Sequence, residues 1–128
     1  MSHAERVPFL VCFERKSPHL RVQVIGESTL ENTLAYWRAI AEEMHSEPAD
    51  SILLVDELQG EPLGQHEWLG LVEQMQGRGL ERARIAHVRP HGLELIEYCE
   101  IFAREAGFNA RVFDDEHAAG LWLRYGET

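Results

Sequence analysis

The chain has 128 residues, 45% of them hydrophobic and 27% charged, which is the composition of one soluble globular domain that buries about two-thirds of its unfolded surface. Its 12 Lys and Arg against 22 Asp and Glu give a net charge of −10, which argues against nucleic acid and anionic membranes as partners. No run approaches the roughly 18 apolar residues of a membrane span, and no signal-peptide core is present. We therefore expect a cytoplasmic protein without stable membrane insertion. It should form a single domain over residues 1–128, in which residues 1–7 are a flexible N-terminus.

The first two elements are predicted to be strands. Residues 9–13 are rich in aromatic and β-branched side chains, and residues 20–24 alternate apolar with polar side chains, as in a strand that has one wetter face. The linker between them is short and contains Pro18, a residue type favoured in turns. The two strands are therefore expected to form an antiparallel hairpin.

A helix and a central strand are predicted next. Residues 28–31 read Ser-Thr-Leu-Glu, which matches a capping box, and apolar residues then recur at helical spacing as far as Met44. Residues 52–55 form an unbroken apolar run, which is typical of a strand buried on both faces. Asp56 and Glu57 follow directly, so we expect both at the exit of this strand, with their side chains on opposite faces.

The second half of the chain alternates helices and strands. Apolar spacing predicts helices over residues 68–75 and 93–106, and Gly107 is expected to end the latter. Short apolar runs predict strands at residues 84–88 and 110–113.

A fourth helix is expected to close the chain, with Asp114 or Asp115 as its N-cap. Its apolar face is expected to consist of Ala118, Leu121, Trp122 and Tyr125. Trp37 and Trp68 also fall on apolar helix faces, so all three tryptophans are expected in the core. The element order β-β-α-β-α-β-α-β-α predicts an α/β fold in which a mostly parallel five-stranded sheet, with its first strand antiparallel, is flanked by four helices.

Residues able to carry out covalent chemistry are scarce. Between Ile52 and Glu127 there is no Ser or Thr, so the loops after the third, fourth and fifth strands cannot supply a nucleophile-elbow serine or a phosphoserine. Cys12 and Cys99 are isolated thiols, and we interpret both as buried small hydrophobes rather than as a disulfide or, for Cys99, a nucleophile. No P-loop or dinucleotide-binding motif is present, so no cofactor is predicted.

Polar residues near the carboxyl ends of the strands mark the expected binding surface, because ligands of open α/β sheets usually lie there. The candidate residues for binding a ligand or partner are Asp56, Glu57, Leu58, His66, Trp68, Arg89 and His91. His66, His87 and His91 lie at or beyond strand ends and could converge on a metal ion, but His87 and His91 are not spaced on one helix. We therefore favour solvated or capping histidines and predict no metal. A small metal-dependent enzyme that uses the three histidines and Asp56 is the alternative to a binding module.

Three stretches carry a resemblance to a known family. They are residues 52–56 (Ile-Leu-Leu-Val-Asp), residues 83–88 (Ala-Arg-Ile-Ala-His-Val) and residues 112–123, in which a strand ending in Phe-Asp precedes a helix ending in Trp-Leu. In these stretches the chain resembles a SpoIIAA-like protein of the STAS fold group, and the likeness covers most of the chain from about residue 9.

The resemblance implies a non-enzymatic module. Anti-sigma-antagonist members of the family carry a phosphorylatable serine after the third strand, whereas residues 58–67 of this chain contain no Ser or Thr, so we expect no phosphoserine switch. Other members resemble small lipid-carrier domains that bind hydrophobic ligands between helices. We therefore expect a protein partner or a small, lipid-like apolar ligand, and an apolar cleft between the second and third helices is compatible with the sequence. A homodimer formed through an exposed helix or edge strand is a further alternative.

Overall fold

A computed structural model describes residues 8–16, 18–90 and 97–126, with residues 97 and 98 described by their backbone alone. Its centre is a five-stranded sheet whose strands follow one another in chain order. The first pair is antiparallel and the other three pairs are parallel, as the sequence predicts. The strands are β1 (Leu10–Lys16), β2 (His19–Glu27), β3 (Ser51–Gln59), β4 (Arg84–Val88) and β5 (Asn109–Phe113).

The described part of the chain also contains four α-helices and a short 3-10 helix, Leu80–Arg82. The α-helices are α1 (Leu30–Ser46), α2 (Gln65–Met75), α3 (Glu97–Glu105) and α4 (Glu116–Tyr125). Right-handed crossovers between parallel strands that advance in one direction place all their helices on the same side of the sheet. Accordingly, α1, α2 and α3 share the larger apolar core with one face of the sheet, and α4 alone packs on the other face. No helix in the described ranges has the length and apolarity needed to cross a membrane.

The middle strand is buried on both faces, as its unbroken apolar run predicts. Ile52 and Leu54 point into the larger core, and Leu53 and Val55 point into the smaller core beneath α4. Asp56 and Glu57 lie within β3, which continues to Gln59, and not in the loop after it where the binding surface was expected. The partner strand β2 also continues past the predicted end at Val24, and it pairs with β3 as far as Glu27 opposite Gln59.

The prediction for the buried face of α4 is wrong in part. Trp122 is buried as expected, together with Ala119 and Leu123, which stand three positions before it and one after it. By contrast, Leu121 is 42% exposed and Tyr125 is 69% exposed. The helix has apolar residues on more than one side, so apolar spacing alone could not select the face that covers β3 and β4.

The helices begin at the predicted N-cap residues with one change. Asp115 is the N-cap of α4, and its carboxylate accepts a hydrogen bond from the Ala118 N–H at 2.9 Å. At α1 the N-cap is Thr29 rather than Ser28, because the Thr29 hydroxyl accepts from the Asn32 N–H at 3.0 Å. The N-terminal part predicted for the third helix, residues 93–96, lies outside the described residues.

Gly107 ends α3 in a left-handed conformation with φ of 97°. The Phe108 N–H donates to the Ala103 carbonyl at 2.9 Å and the Gly107 N–H donates to the Arg104 carbonyl at 3.1 Å, which is the Schellman pattern. A Cβ at Gly107 would meet no other atom within 4 Å. Any loss of stability on replacing this glycine would therefore come from the backbone conformation alone.

Replacing Gly107 with Ala should therefore lower the free energy of unfolding by about 1–2 kcal/mol, the cost of holding an L-residue at positive φ. The matched control is Gly70→Ala inside α2, where an added Cβ also meets no atom within 4 Å. That change should raise the free energy of unfolding by about 0.5–1 kcal/mol, because Ala is the better helix former. Urea denaturation of both variants measures the difference, and equal effects would contradict the assigned helix end.

Candidate functional site

A buried polar cluster lies between the sheet and the helices α1, α2 and α3. Side chains alternate along β3, so Asp56 points to the same face as Ile52 and Leu54 and is 2% exposed. His87, on the neighbouring strand β4, is also 2% exposed, and Arg89 just beyond that strand is buried. The strand extension past Val55 therefore carries a carboxylate into the core, where an ionised group needs partners.

Each oxygen of the Asp56 carboxylate has a partner. Oδ2 lies 2.8 Å from His87 Nε2 and 3.5 Å from Arg89 Nη1, and Oδ1 accepts from the Leu58 N–H at 3.0 Å. Arg89 Nη2 also donates to the Leu58 carbonyl at 3.3 Å. Burial by itself would raise the pKa of Asp56, but the hydrogen bond and charge of His87, the Leu58 N–H and the charge of Arg89 outweigh burial and lower it. The carboxylate is therefore held in its ionised form.

The same contacts determine which nitrogen of a neutral His87 carries the proton. An ionised carboxylate can only accept hydrogen bonds, so Nε2 is the nitrogen that donates to Asp56. Nδ1 then presents a lone pair on the other side of the ring, and Cys99 Sγ lies 3.7 Å from it. The three side chains come from β3, β4 and α3 and form a continuous line from carboxylate to imidazole to thiol.

Cys99 is buried, as the sequence predicts, and burial together with the charges of Asp56 and Glu100 raises the pKa of its thiol to about 12. Cys12 is different, because it is exposed on β1 and the expectation that it is buried is wrong. On an edge strand, apolar neighbours in sequence do not ensure burial, and α4 packs on β3, β4 and β5 rather than on β1.

Aromatic rings surround the cluster. The rings of Trp37 and Trp68 approach the His87 imidazole edge-on, with centroid distances of 6.4 and 6.2 Å, and Tyr36 lies 5.6 Å from Trp37. All three tryptophans are buried, which confirms the prediction that they belong to the core. The indole N–H of Trp68 is buried and has no hydrogen-bond partner in the described structure. Burial raises the pKa of the Tyr36 hydroxyl, and a hydrogen bond with the Trp37 side chain opposes that effect.

An apolar pocket of about 40 Å³ reaches this cluster from between α2 and α3. Its apolar lining includes Trp37, Leu71, Met75, Ile85, Ala103 and Phe108. His87 and Cys99 are part of the lining too, and His87 connects the lining to Asp56 through its Nε2. Glu100 and Arg111 contribute the charged part of the lining. The cleft that the sequence allows between the second and third helices is therefore present, and the imidazole and thiol face into it.

The predicted binding residues do not form one surface. Asp56, Leu58, Trp68 and Arg89 are buried, and the first two belong to β3 rather than to a loop. Glu57 points to the opposite face, as predicted, and accepts a hydrogen bond from Gln23 Nε2 at 2.7 Å. The binding roles assigned to these residues remain predictions, but burial removes four of them from a surface that a partner could touch.

Of the three histidines proposed as metal ligands, the structure describes His66 and His87. His66 is exposed in the first turn of α2, whereas His87 is buried and bonded to Asp56, and His91 lies outside the described residues. Over residues 8–16, 18–90 and 97–126, no three His, Cys, Asp or Glu side chains form a group that could hold a metal ion.

The pairing of His87 with Cys99 was missed by the sequence reasoning. The available signal was His87 itself, a titratable residue next to the apolar strand residues Ile85, Ala86 and Val88. Such a residue, when buried, requires a polar partner. The partner's identity depends on how α3 packs over β4, which periodicity does not reveal.

The topology weakens the argument from which a site at the strand ends was predicted. Open α/β sheets bind ligands where the strand order reverses, since adjacent loops then diverge and leave a crevice. Here the parallel strands advance from β2 to β5 without a reversal.

A comparison of the chain with protein-family models and a comparison with curated proteins each found no match.

Proposed function

We propose that the protein binds a small apolar ligand in the pocket between α2 and α3. The observation that carries this proposal is a pocket with an apolar lining that also includes His87 and Cys99. Ligand sites typically pair a mostly hydrophobic wall with a few convergent polar groups. The resemblance of the sequence to SpoIIAA-like domains that bind hydrophobic ligands between helices supports the same proposal.

The size of the pocket limits what enters it. Pockets for drug-sized ligands measure about 300–1,000 Å³, whereas this pocket measures about 40 Å³. It therefore accepts the end of an apolar chain or a short acyl group rather than a whole lipid. A longer ligand lies partly outside, along α2 and α3, two helices that also expose the large apolar residues Leu69 and Ile101.

Titration with hexanoic acid, followed by tryptophan fluorescence, tests the proposal, because Trp37 lines the pocket. Ala103→Phe places a ring in the pocket and should weaken binding at least tenfold. The control is Ala118→Phe, which makes the same change at an exposed position on α4. Equal affinity of the two variants for hexanoic acid would contradict the proposal.

A second variant keeps the test informative if overpacking by Ala103→Phe, which typically costs about 1–3 kcal/mol, prevents folding. Met75→Ala removes a side chain that lines the pocket and leaves more space beside Leu71. It should favour octanoic over hexanoic acid more strongly than the wild-type protein does. No binding of either acid to either protein would overturn the proposal and would favour a protein partner.

A further inference from the structure

We propose that Cys99 is a site of covalent modification, at which the thiol accepts a short acyl group from an activated ester held in this pocket, with His87 as the general base. This inference rests on the proposed function, since the same pocket holds the acyl group. It adds a reaction to a site that otherwise only binds.

The geometry supplies the parts that such a reaction needs. An activated nucleophile is recognised by a base within hydrogen-bonding reach and by a third group that orients the base. Here the Cys99 thiol lies 3.7 Å from His87 Nδ1, and the opposite ring nitrogen lies 2.8 Å from Asp56 Oδ2. Asp56 acts as the positioning residue, because its bond to Nε2 leaves Nδ1 as the acceptor for the thiol proton.

The reaction balances with an ester as the only co-reactant. The thiol proton moves to His87 Nδ1 while Sγ forms a bond to the carbonyl carbon of the ester. The bond between that carbon and the alcohol oxygen then breaks, and the proton on the imidazole passes to the departing alkoxide. The products are a thioester at Cys99 and a free alcohol, and no oxidation or reduction takes place.

Because the Cys99 thiol is buried, the dependence of its acylation rate on His87 can be measured. With a pKa raised to about 12, almost none of Cys99 is thiolate near neutral pH, and a thiolate is the reactive form of cysteine. Reaction near neutral pH therefore requires removal of the proton by His87 during the attack. The exposed Cys12 on β1 provides an internal comparison, because no described interaction pairs it with a histidine.

The test uses p-nitrophenyl acetate, with intact-protein mass and peptide mapping to locate the acetyl group. In a Cys12→Ser background we expect one acetyl group per chain, on Cys99, and none in the additional variant Cys99→Ala. His87→Gln should slow the labelling at pH 7 at least tenfold, since its amide can still donate to Asp56 but cannot accept the thiol proton. Asp56→Asn should also slow it, because an amide at that position no longer selects the tautomer.

The pH profile separates catalysis from a structural effect. In His87→Gln the labelling rate should rise about tenfold per pH unit between pH 7 and 9, in proportion to the thiolate, whereas the wild-type rate should rise less steeply. Labelling that is equally fast in His87→Gln, or that occurs on residues other than Cys99, would overturn the inference. Hexanoic acid should protect Cys99 from the ester. Labelling that depends on His87 but is not slowed by hexanoic acid would sustain the modification site and count against the proposed ligand.

Discussion

Replacing Asp56 with Ala should lower the free energy of unfolding by about 3–5 kcal/mol, because it removes one partner of a buried network of charged groups. Arg89 lies 3.5 Å from the carboxylate and is buried, and His87 loses the acceptor of its Nε2 hydrogen at the same time. Urea denaturation near neutral pH measures the loss. The control is Glu57→Ala, one residue along β3, where the side chain is exposed and the loss should stay below about 1 kcal/mol.

The same variant should show how the contribution of Asp56 depends on pH. The folded-state pKa of Asp56 lies below its ordinary value of 3.8, so the carboxylate contributes stability that is fully present above that value. The contribution is lost as the pH falls through the folded-state pKa. The difference in stability between the wild-type protein and Asp56→Ala should therefore be constant at neutral pH and narrow in acid. A difference that grows in acid would contradict the assigned partners.

Trp122→Ala should lower the free energy of unfolding by about 3–5 kcal/mol, the usual cost of removing a buried large aromatic side chain. Trp122 is buried against the second face of the sheet, with its ring 5.8 Å from that of Phe113. Its indole N–H has no hydrogen-bond partner among the described residues, so the expected loss comes from packing alone.

Tyr125→Ala is the matched control for α4, because Tyr125 stands three residues after Trp122 and is 69% exposed. It should change the free energy of unfolding by less than about 0.5 kcal/mol. Urea denaturation of both variants decides which face of α4 is buried. A loss at Tyr125 as large as that at Trp122 would restore the face expected from the sequence and contradict the packing described above.

The order and type of the elements were predictable because they depend on local patterns. The four apolar residues of β3, the alternation in β2 and the glycine after α3 each have one common structural explanation, and each prediction is confirmed by the structure. The α/β class and the antiparallel first strand are likewise confirmed. The prediction that the chain belongs to the SpoIIAA-like family stays a prediction.

The site was less predictable because it depends on where elements end and how they pack. Because β3 runs to Gln59, Asp56 lies in the core rather than in the loop after the strand. Packing of α3 against α2 and β5 placed Cys99 beside His87. Neither residue belongs to a local motif, and residues 56, 87 and 99 are far apart in the chain, so no spacing rule could bring them together.

The sequential strand order has a wider consequence for where ligands bind in this fold. Because the strand order does not reverse between β2 and β5, the described strand ends offer no crevice of the usual kind. Concave space arises instead where two neighbouring helices on the same side separate above the sheet, as α2 and α3 do. Polar residues on the strands beneath that gap, such as His87, are then closer to a bound ligand than polar residues in the loops.

The ring nitrogens of His87 provide the most direct test, because the orientation of the imidazole links the buried carboxylate to the pocket. A long-range ¹H–¹⁵N NMR spectrum of the folded protein near neutral pH distinguishes a protonated ring nitrogen from one with a free lone pair. We expect His87 to carry its proton on Nε2 and to have an unprotonated Nδ1, and Asp56→Asn should remove this preference. A His87 ring protonated on Nδ1, or one unaffected by Asp56→Asn, would show that no carboxylate–imidazole–thiol line exists in the protein.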